Sequence, residues 1–263
     1  MKSILILFAL SALLLANEHY AKIEPLKTVI LKAEINGKVV KSVKEKEGEV
    51  VEGVIVQVDD TLNRKDLQST LDSLKVVEKI IDINSKMVAD LKKNMQRKLA
   101  LYEKVAPLSS SSVNQKDALY AAYVTAKTQY NGTLEKILNL KNQKIALEQK
   151  INLLKDTIKK KRISIDSKYL YKLNVEAGEF VNVGMPVATV MNLDRGKLIL
   201  YLTADELKDI NKKKVFINGK EESSAKITKV WRVADSQYIS SYRVEVELKA
   251  PKEFSNLVKV ELK

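Results

Sequence analysis

Residues 43–58, VKEKEGEVVEGVIVQV, and residues 174–190, NVEAGEFVNVGMPVATV, are two versions of one short pattern. Each has a Gly-Glu pair, then valines, a second glycine and an apolar strand. The glycines are Gly48 and Gly53 in the first version and Gly178 and Gly184 in the second. Glycine permits the tight turns that a compact β-unit needs. The pattern therefore predicts two halves of one β-domain, with an insertion between them.

The insertion is predicted to consist of two long helices. Residues 66–105 contain neither Gly nor Pro, and apolar residues recur there every seven positions: Leu67, Leu74, Ile81, Val88, Met95 and Tyr102. The companion positions three residues later are mixed in character: Thr70, Val77, Asn84, Leu91, Lys98 and Val105. One long helix with a firm apolar stripe is expected.

A second helix over about 114–160 has a seam that alternates steps of four and three residues, the repeat of a coiled coil. Its twelve positions are Leu119, Tyr123, Ala126, Tyr130, Thr133, Ile137, Leu140, Lys144, Leu147, Ile151, Leu154 and Ile158, and all but Thr133 and Lys144 are apolar. Gly132 weakens this helix by about 1 kcal/mol, and a close approach of two backbones is one reason for its presence. Similar lengths and a short connection predict an antiparallel hairpin.

The connection between the helices, VAPLSSSSVNQKD at 105–117, has the residues of a helix end and a helix start. Pro107 cannot continue a helix. Ser112, with Gln115 three residues later, has the spacing of a capping box.

Strand patterns return after Arg162. The stretch SYRVEVEL at 241–248 alternates apolar and polar residues, and Asn218-Gly219 predicts a hairpin turn. The stretch TADELKDINKKK at 203–214 predicts a short helix that Thr203 caps, with Glu206 three residues later. The C-terminal part is expected to form a small antiparallel barrel or sandwich.

Composition excludes several kinds of site. The chain of 263 residues has no cysteine, so it has no disulfide and no thiolate metal site, and its single histidine is His19. Its net charge of +13 comes from 46 Lys and Arg against 33 Asp and Glu. The lysines are spread along the chain, which favours a solvated basic surface; attraction to anionic lipid is the alternative.

The N-terminus has the features of a secretory signal peptide. Lys2 precedes an apolar run from Ile4 to Ala16, which is short for a bilayer span. A signal peptide at 1–16 is expected, and a retained membrane anchor is the alternative.

The stretch VEAGEFVNVGMPVATVMNLDRGKLILYLTADEL at 175–207 resembles the second lipoyl half-motif of the periplasmic adaptor family. These proteins, also called membrane fusion or HlyD-like proteins, serve bacterial efflux and secretion systems. The resemblance implies a mixed α and β fold, with a coiled-coil hairpin inserted into a split lipoyl-like β-sandwich and a small antiparallel β-barrel after it. The expected domains are a β-barrel at 26–35 and 193–263, a lipoyl-like domain at 36–60 and 163–192, and a helical hairpin at 61–162.

The resemblance also implies a role and partners. A non-enzymatic periplasmic adaptor, associated with the inner membrane, would link an inner-membrane exporter to a TolC-like outer-membrane channel. Several copies, three or six, would form a ring through which small compounds pass, as in multidrug resistance. The hairpin replaces the lysine-bearing turn of true lipoyl carriers, so neither lipoylation nor biotinylation is expected, and no cofactor or metal.

Two sets of contact residues follow from the resemblance. The residues expected at the hairpin tip, against the outer channel, are Arg97, Leu101, Ser109, Ser112 and Asp117. The residues expected against the transporter are Trp231, Tyr238 and Tyr242.

Other functions stay open at this point. The compact layout favours an exporter of the proton-driven RND type, while an ABC exporter or type I secretion system is the alternative. Further candidates are a non-transport periplasmic scaffold, an enzyme-associated carrier domain and a basic coiled-coil protein that binds nucleic acid.

Overall fold

A computed structural model describes residues 18–263, and the predicted signal peptide lies outside these residues. The chain divides into two compact units: a helical unit, 58–162, and a β-unit built from the residues on either side of it. Two α-helices make up the first: α1 (Thr61–Val105) and α2 (Val113–Lys160). The strands are β1 (His19–Lys22), β2 (Glu24–Lys32), β3 (Gly37–Ser42), β4 (Val50–Val58), β5 (Arg162–Leu173), β6 (Phe180–Val181), β7 (Pro186–Leu202), β8 (Val215–Ile217), β9 (Lys220–Glu221), β10 (Lys226–Val230), β11 (Tyr242–Lys249) and β12 (Leu257–Leu262).

The two helices pack along the predicted seam. All twelve seam positions of α2 are buried or half-buried, and Ala126, Ile137 and Ile151 are the most buried. Lys144, the one charged seam residue, places its Nζ 2.7 Å from Oε1 of Glu78 on α1. The coiled-coil interpretation of α2 is therefore confirmed, and the lysine is accommodated by a cross-helix ion pair.

The deepest positions of α1 differ from the prediction. The heptad stripe from Leu67 to Tyr102 is half-buried, whereas the most buried residues are its companions Thr70, Val77 and Asn84. The Thr70 hydroxyl donates to the Asp66 carbonyl, and the Asn84 amide donates to the Ile80 carbonyl, each at 2.7 Å. Because their own helix satisfies these polar groups, both side chains can lie in the seam.

Gly132 is not a point of close backbone approach. A Cβ atom built on it would have no neighbour within 4 Å. The suggestion that two backbones meet there is wrong, and the glycine only weakens α2.

The two halves of the split pattern lie in one sheet of the β-unit. Its strand order is β10-β11-β7-β5-β4-β3-β6, and β2 also pairs with β7. The strands β3 and β4 precede the hairpin in sequence, and β5 follows it as the neighbour of β4. The mixed fold, with its antiparallel pairing and two-helix insertion, is confirmed, while the lipoyl sandwich and the closed barrel stay predictions.

The strand β7 runs through both predicted β-domains, and β2, most of whose residues fall in the predicted barrel segment 26–35, pairs with it on both sides of the boundary at residue 192. Their pairing joins Glu24 to Lys197 at one end and Lys32 to Pro186 at the other. Between Pro25 and Lys27 the partners change from Gly196 to Asn192, so β7 bulges there. The bulge begins at Asn192, where the predicted lipoyl-like domain ends.

A second sheet has the order β1-β12-β8-β9. The turn between β8 and β9 is the predicted Asn218-Gly219 hairpin, with φ values of 49° and 78°. Both residues are left-handed, which is the geometry of a type I′ turn. On β11 the predicted alternation is also confirmed, because Val244, Val246 and Leu248 are buried.

The helix predicted over 203–214 is wrong. The segment forms successive turns and one 3₁₀ helix, Ile210–Lys212. The cap itself exists, since the Thr203 N–H donates to a Glu206 carboxylate oxygen at 2.8 Å. Asp209 is left-handed, at φ 53°, and stops the turn after about one helical repeat. A helix this short does not repay the entropy of its nucleation.

Candidate partner-binding surfaces

The end of the hairpin is formed by the last turns of α1, a connection at 106–112 and the first turns of α2. The N–H of Ala106 continues the helical pattern to the Tyr102 carbonyl at 2.8 Å. Ser112 then caps α2, because its Oγ accepts a hydrogen bond from the Gln115 N–H at 3.2 Å. The predicted cap at Ser112 is confirmed, and it fixes where the second helix begins.

Apolar side chains are exposed around this turn. Leu101 is 45% exposed, Leu108 is 48% exposed and Val113 is 72% exposed. Tyr102 and the exposed Tyr120 bring ring centroids to 5.2 Å across the two helices. An aromatic pair at this distance adds to packing. An aromatic contact between the helices therefore lies near the exposed apolar side chains of the hairpin end.

The hairpin unit carries most of the net positive charge of the chain. Residues 58–162 contain 21 Lys and Arg against 12 Asp and Glu, a net charge of +9 out of the total of +13. The part around the turn, 91–127, has seven basic and two acidic residues. The exposed apolar residues of the turn therefore lie in a basic surrounding.

A second exposed surface is the loop between β10 and β11, residues 231–241, named here the 231–241 loop. Its Val233 is 78% exposed and its Ile239 is 86% exposed. The backbone is internally bonded, because the Asp235 N–H donates to the Ser241 carbonyl at 2.8 Å and the Asp235 carboxylate accepts from the Gln237 N–H at 2.8 Å. A defined loop therefore presents two apolar residues to solvent.

Aromatic contacts hold this loop against the sheet. Tyr238 stacks on Tyr201 of β7, with centroids 4.0 Å apart. The Arg243 guanidinium lies 4.7 Å from the centroid of Trp231. Trp231 is half-buried as a result, whereas Tyr238 keeps about half of its surface exposed, at 52%.

The Gly-Glu pairs join the two halves of the split pattern. The Gly48 N–H donates to the Leu170 carbonyl at 2.8 Å, and the Leu170 N–H donates to the Glu49 carbonyl at 2.9 Å. The second Gly-Glu pair makes the equivalent exchange with the first half of the pattern. The Gly178 N–H donates to the Val39 carbonyl and the Val39 N–H donates to the Glu179 carbonyl, each at 2.8 Å.

All four predicted turn glycines are left-handed, with φ of 88° at Gly48, 94° at Gly53, 102° at Gly178 and 84° at Gly184. Residues with a Cβ rarely adopt this conformation. The repeated glycines therefore place matching backbone groups on opposite halves.

Comparison with known proteins identifies the architecture. No protein-family model matches the sequence, and no curated protein matches it. Among solved structures, MacA from Actinobacillus actinomycetemcomitans superposes with a TM-score of 0.67 at 16% identity, over 94% of this chain and 79% of MacA. The chain has the fold of a periplasmic adaptor protein.

A second solved structure agrees with this adaptor fold. A MacA-MexA chimera that contains the Pseudomonas aeruginosa MexA α-hairpin domain matches with a TM-score of 0.59 and 15% identity. The match covers 94% of this chain and 80% of the chimera.

The adaptor fold brings some of the predicted tip residues together and separates others. Ser109 and Ser112 lie in the connection, while Leu101 and Asp117 each lie about one helical turn from it, on α1 and α2. Arg97 lies two turns before the end of α1, and its guanidinium donates to the Asn94 side chain at 3.1 Å. Arg97 is therefore set back from the turn by about 12 Å along the helix axis.

Sequence reasoning missed several exposed apolar residues of the two surfaces of the adaptor fold. Leu108 and Val113 flank the serines of the connection, and Val233 lies in the 231–241 loop, whereas Ile239 falls within the region 238–242 that was expected against the transporter. The sequence signal for such residues is a single apolar residue among turn-forming residues. Such a residue belongs to no strand or helix with a buried face, so its side chain is expected to be exposed.

The described residues contain no candidate for metal chemistry or for a membrane span. Within 18–263, no group of three or more His, Asp or Glu side chains could hold a metal ion. No helix of that range combines the length and hydropathy that a bilayer crossing requires.

Proposed function

We propose that this chain is a periplasmic adaptor of a tripartite efflux system, which links an inner-membrane exporter to a TolC-like outer-membrane channel. The observation that carries the proposal is the architecture: a β-unit built from two distant segments of the chain, with a long two-helix hairpin inserted between them in sequence. Its likeness to MacA supports the same role. The role is non-enzymatic.

The hairpin end is the proposed contact with the outer channel. Exposed Leu101, Leu108 and Val113 supply apolar area, and the serines of the connection supply hydrogen-bonding groups of small size. Interfaces of this kind combine an apolar centre with a polar rim. The basic surrounding favours a partner whose matching surface is acidic, because opposite charges accelerate and orient association.

The 231–241 loop is the proposed contact with the exporter. Val233 and the adjacent pair Tyr238 and Ile239 are exposed on a backbone that its own hydrogen bonds fix. Trp231 and Tyr242 support the loop from its two ends. A preorganised loop loses little entropy on binding, so its apolar residues can contribute to affinity.

A further feature of α1 supports a ring of several copies. Val76, Ile83 and Met87 are exposed, and with half-buried Ile80 they repeat at steps of four, three and four. This stripe lies outside the seam with α2, and its spacing suits packing against another helix. We propose that it contacts the hairpin of a neighbouring copy.

The test is photo-crosslinking in the bacterium that encodes the chain. A photoreactive residue replaces Leu108 at the hairpin end or Ile239 in the 231–241 loop, and the adducts are identified by mass spectrometry. We expect an outer-membrane channel from position 108 and an inner-membrane exporter from position 239. The identity of that exporter then distinguishes an RND-type pump from an ABC-type pump.

Matched controls use exposed residues elsewhere in each unit. Leu153 on α2 is the control for position 108, and Leu257 on β12 is the control for position 239. If positions 108 and 239 give no membrane-protein adduct, or the same adducts as their controls, the adaptor proposal fails.

A variant examines the tip directly. Arg97→Asp reverses one charge among the basic residues near the turn and leaves the seam intact, since Arg97 is exposed. We expect much weaker crosslinking from position 108 at unchanged thermal stability. Unchanged crosslinking would remove Arg97 from the proposed contact.

A further inference from the structure

A cleft opens on the β-unit where β2, β5 and β7 meet. Its volume is about 880 Å³, which lies within the range of small-molecule sites. The wall is rich in aromatic and sulfur-containing side chains, among them Tyr169, Tyr171, Met191 and Phe254. None of these residues belongs to the hairpin end or to the 231–241 loop, so the cleft is separate from both proposed partner contacts.

Strand register explains how the cleft forms. Met191 of β7 pairs with Thr28 of β2 on one side and with Tyr169 of β5 on the other, so it lies at the middle of the cleft. Beyond Met191, β7 bulges between Asn192 and Gly196, and the regular pairing of β2 with β7 is interrupted there. A bulge redirects side chains and widens the local surface. The middle of the cleft is therefore built by paired strands, and Phe254 is added from the loop between β11 and β12.

The rim of the cleft is positively charged. It carries Lys22, Lys27 and Lys197 against one acid, Glu24. Lys197 faces Glu24, with Nζ and Oε2 3.7 Å apart. Lys22 and Lys27 form no ion pair with a carboxylate of residues 18–263. Two ammonium groups are left to neutralise an anion beside an apolar floor.

We propose that this cleft binds an amphipathic organic anion of low molecular weight. The ring or acyl part of the ligand lies against Tyr169, Met191 and Phe254, and the anionic group lies beside Lys22 and Lys27. Aromatic side chains and Met provide an adaptable apolar surface for such a ligand. The inference does not depend on the adaptor role, because it uses only the geometry and charge of the cleft.

The methionines allow binding to be located on the intact chain. The sequence has five of them, of which Met87 and Met95 lie in α1 and Met191 lies in the cleft. With isotope-labelled methionine methyl groups, the protein is titrated with anilinonaphthalene sulfonate, an aromatic anion, and followed by NMR. We expect the Met191 signal, assigned through Met191→Leu, to shift and saturate while those of Met87 and Met95 stay fixed.

Two variants examine the two parts of the site. Lys27→Glu removes one rim charge, and Tyr171→Ala removes part of an exposed wall residue, so neither is expected to lower thermal stability. Each should weaken binding of the probe by about tenfold or more. The matched control is Lys32→Glu, an exposed lysine of the same strand outside the cleft, which should leave binding unchanged. Laurate should displace the probe, whereas dodecyltrimethylammonium should not.

The proposal is overturned by any of three results. The Met191 signal does not move, or the control Lys32→Glu weakens binding as much as Lys27→Glu does, or the cationic detergent competes as well as laurate. A loss of affinity in Tyr171→Ala at unchanged melting temperature supports the site even where Lys27→Glu impairs folding.

Discussion

The carboxylate of Glu47 accepts a hydrogen bond from the backbone N–H of Leu173 at 2.5 Å, across 126 residues of sequence. The Lys44 ammonium lies 3.3 Å from the same carboxylate oxygen and also donates to the Leu173 carbonyl. A side chain of the first β half therefore satisfies the end of a strand from the second half. The hydrogen bond from the Leu173 N–H is the largest cause that lowers the pKa of Glu47 below its usual value, and the nearby Lys44 ammonium lowers it further.

Glu47→Gln is expected to make the protein less stable at neutral pH and to have little effect in acid. Because the folded-state pKa of Glu47 is lowered, its contribution is present above the unfolded pKa of about 4.5 and is lost as the pH falls through the lowered value. Urea unfolding of wild type and variant at several pH values between about 7 and 3 measures the difference.

Glu45→Gln is the control for this prediction, because Glu45 is exposed and lies in the short 3₁₀ helix Lys44–Lys46, which directly precedes Glu47. It should change stability little at any pH. An equal loss for Glu47→Gln at neutral and acid pH would contradict the proposed charge-assisted hydrogen bond.

Substituting leucines of α2 by Asp should destabilise the hairpin strongly at seam positions and little at exposed positions. Leu140 and Leu147 are half-buried in the seam, and Leu138 and Leu153 are exposed. Asp at both seam positions is expected to cost about 2 kcal/mol or more per site and to unfold the hairpin. The β-unit should stay folded, because the hairpin is a separate compact unit.

Circular dichroism measures the loss of helix in the seam variant. The control with Asp at 138 and 153 should keep the wild-type helical signal. A normal helical signal in the variant with Asp at 140 and 147 would show that these leucines do not hold the two helices together.

Replacing Gly132 or Gly184 by alanine should change the stability of the protein in opposite directions. Neither Gly132 nor Gly184 has an atom within 4 Å of a built Cβ, so only the backbone differs between them. Gly132→Ala should stabilise α2 by about 0.5–1 kcal/mol. Gly184→Ala forces a Cβ onto φ 84° and should cost about 1–2 kcal/mol.

Thermal unfolding of the two alanine variants measures this difference in sign. A gain in stability at both positions would mean that the backbone at Gly184 relaxes without cost.

Gly196 is constrained by space rather than by backbone angle. A Cβ there would lie 2.8 Å from Cγ of Pro251 and 3.2 Å from Cγ2 of Ile23. Gly196→Ala should therefore cost about 1–3 kcal/mol through overpacking. Pro251→Gly in the same chain should recover part of the loss, and a double-mutant cycle in urea measures the coupling. If the stability losses of Gly196→Ala and Pro251→Gly simply add, the strain at position 196 does not come from contact with Pro251.

Local patterns in the sequence predicted the long elements well. The seam of α2 follows from its heptads, and the Asn218-Gly219 turn follows from residues that tolerate left-handed backbone. The burial of Thr70 and Asn84 could not be predicted from polarity, because each hydroxyl or amide is satisfied by its own helix. The helix expected at 203–214 failed for a similar local reason, the left-handed Asp209.

The candidate surfaces were harder to predict than the fold. Ser109, Ser112 and Arg97 were assigned to the tip by resemblance, whereas exposed Leu108 and Val233 stand out only once their neighbours are placed. The cleft depends on the shift in register between β2 and β7 at Asn192. A shift of this kind arises from pairing between distant segments, so no short stretch of sequence encodes it.

The hydrogen bonds between the Gly-Glu pairs and the opposite strands also bear on how the length of the hairpin can change in evolution. Every bond of that exchange joins residues outside 58–162. Whole heptads could therefore be added to or deleted from both helices together, changing the span of the hairpin by about 10 Å each time, while the strands that flank it keep their pairing. The length of the hairpin would thus be free to vary without any change in the strands that anchor it.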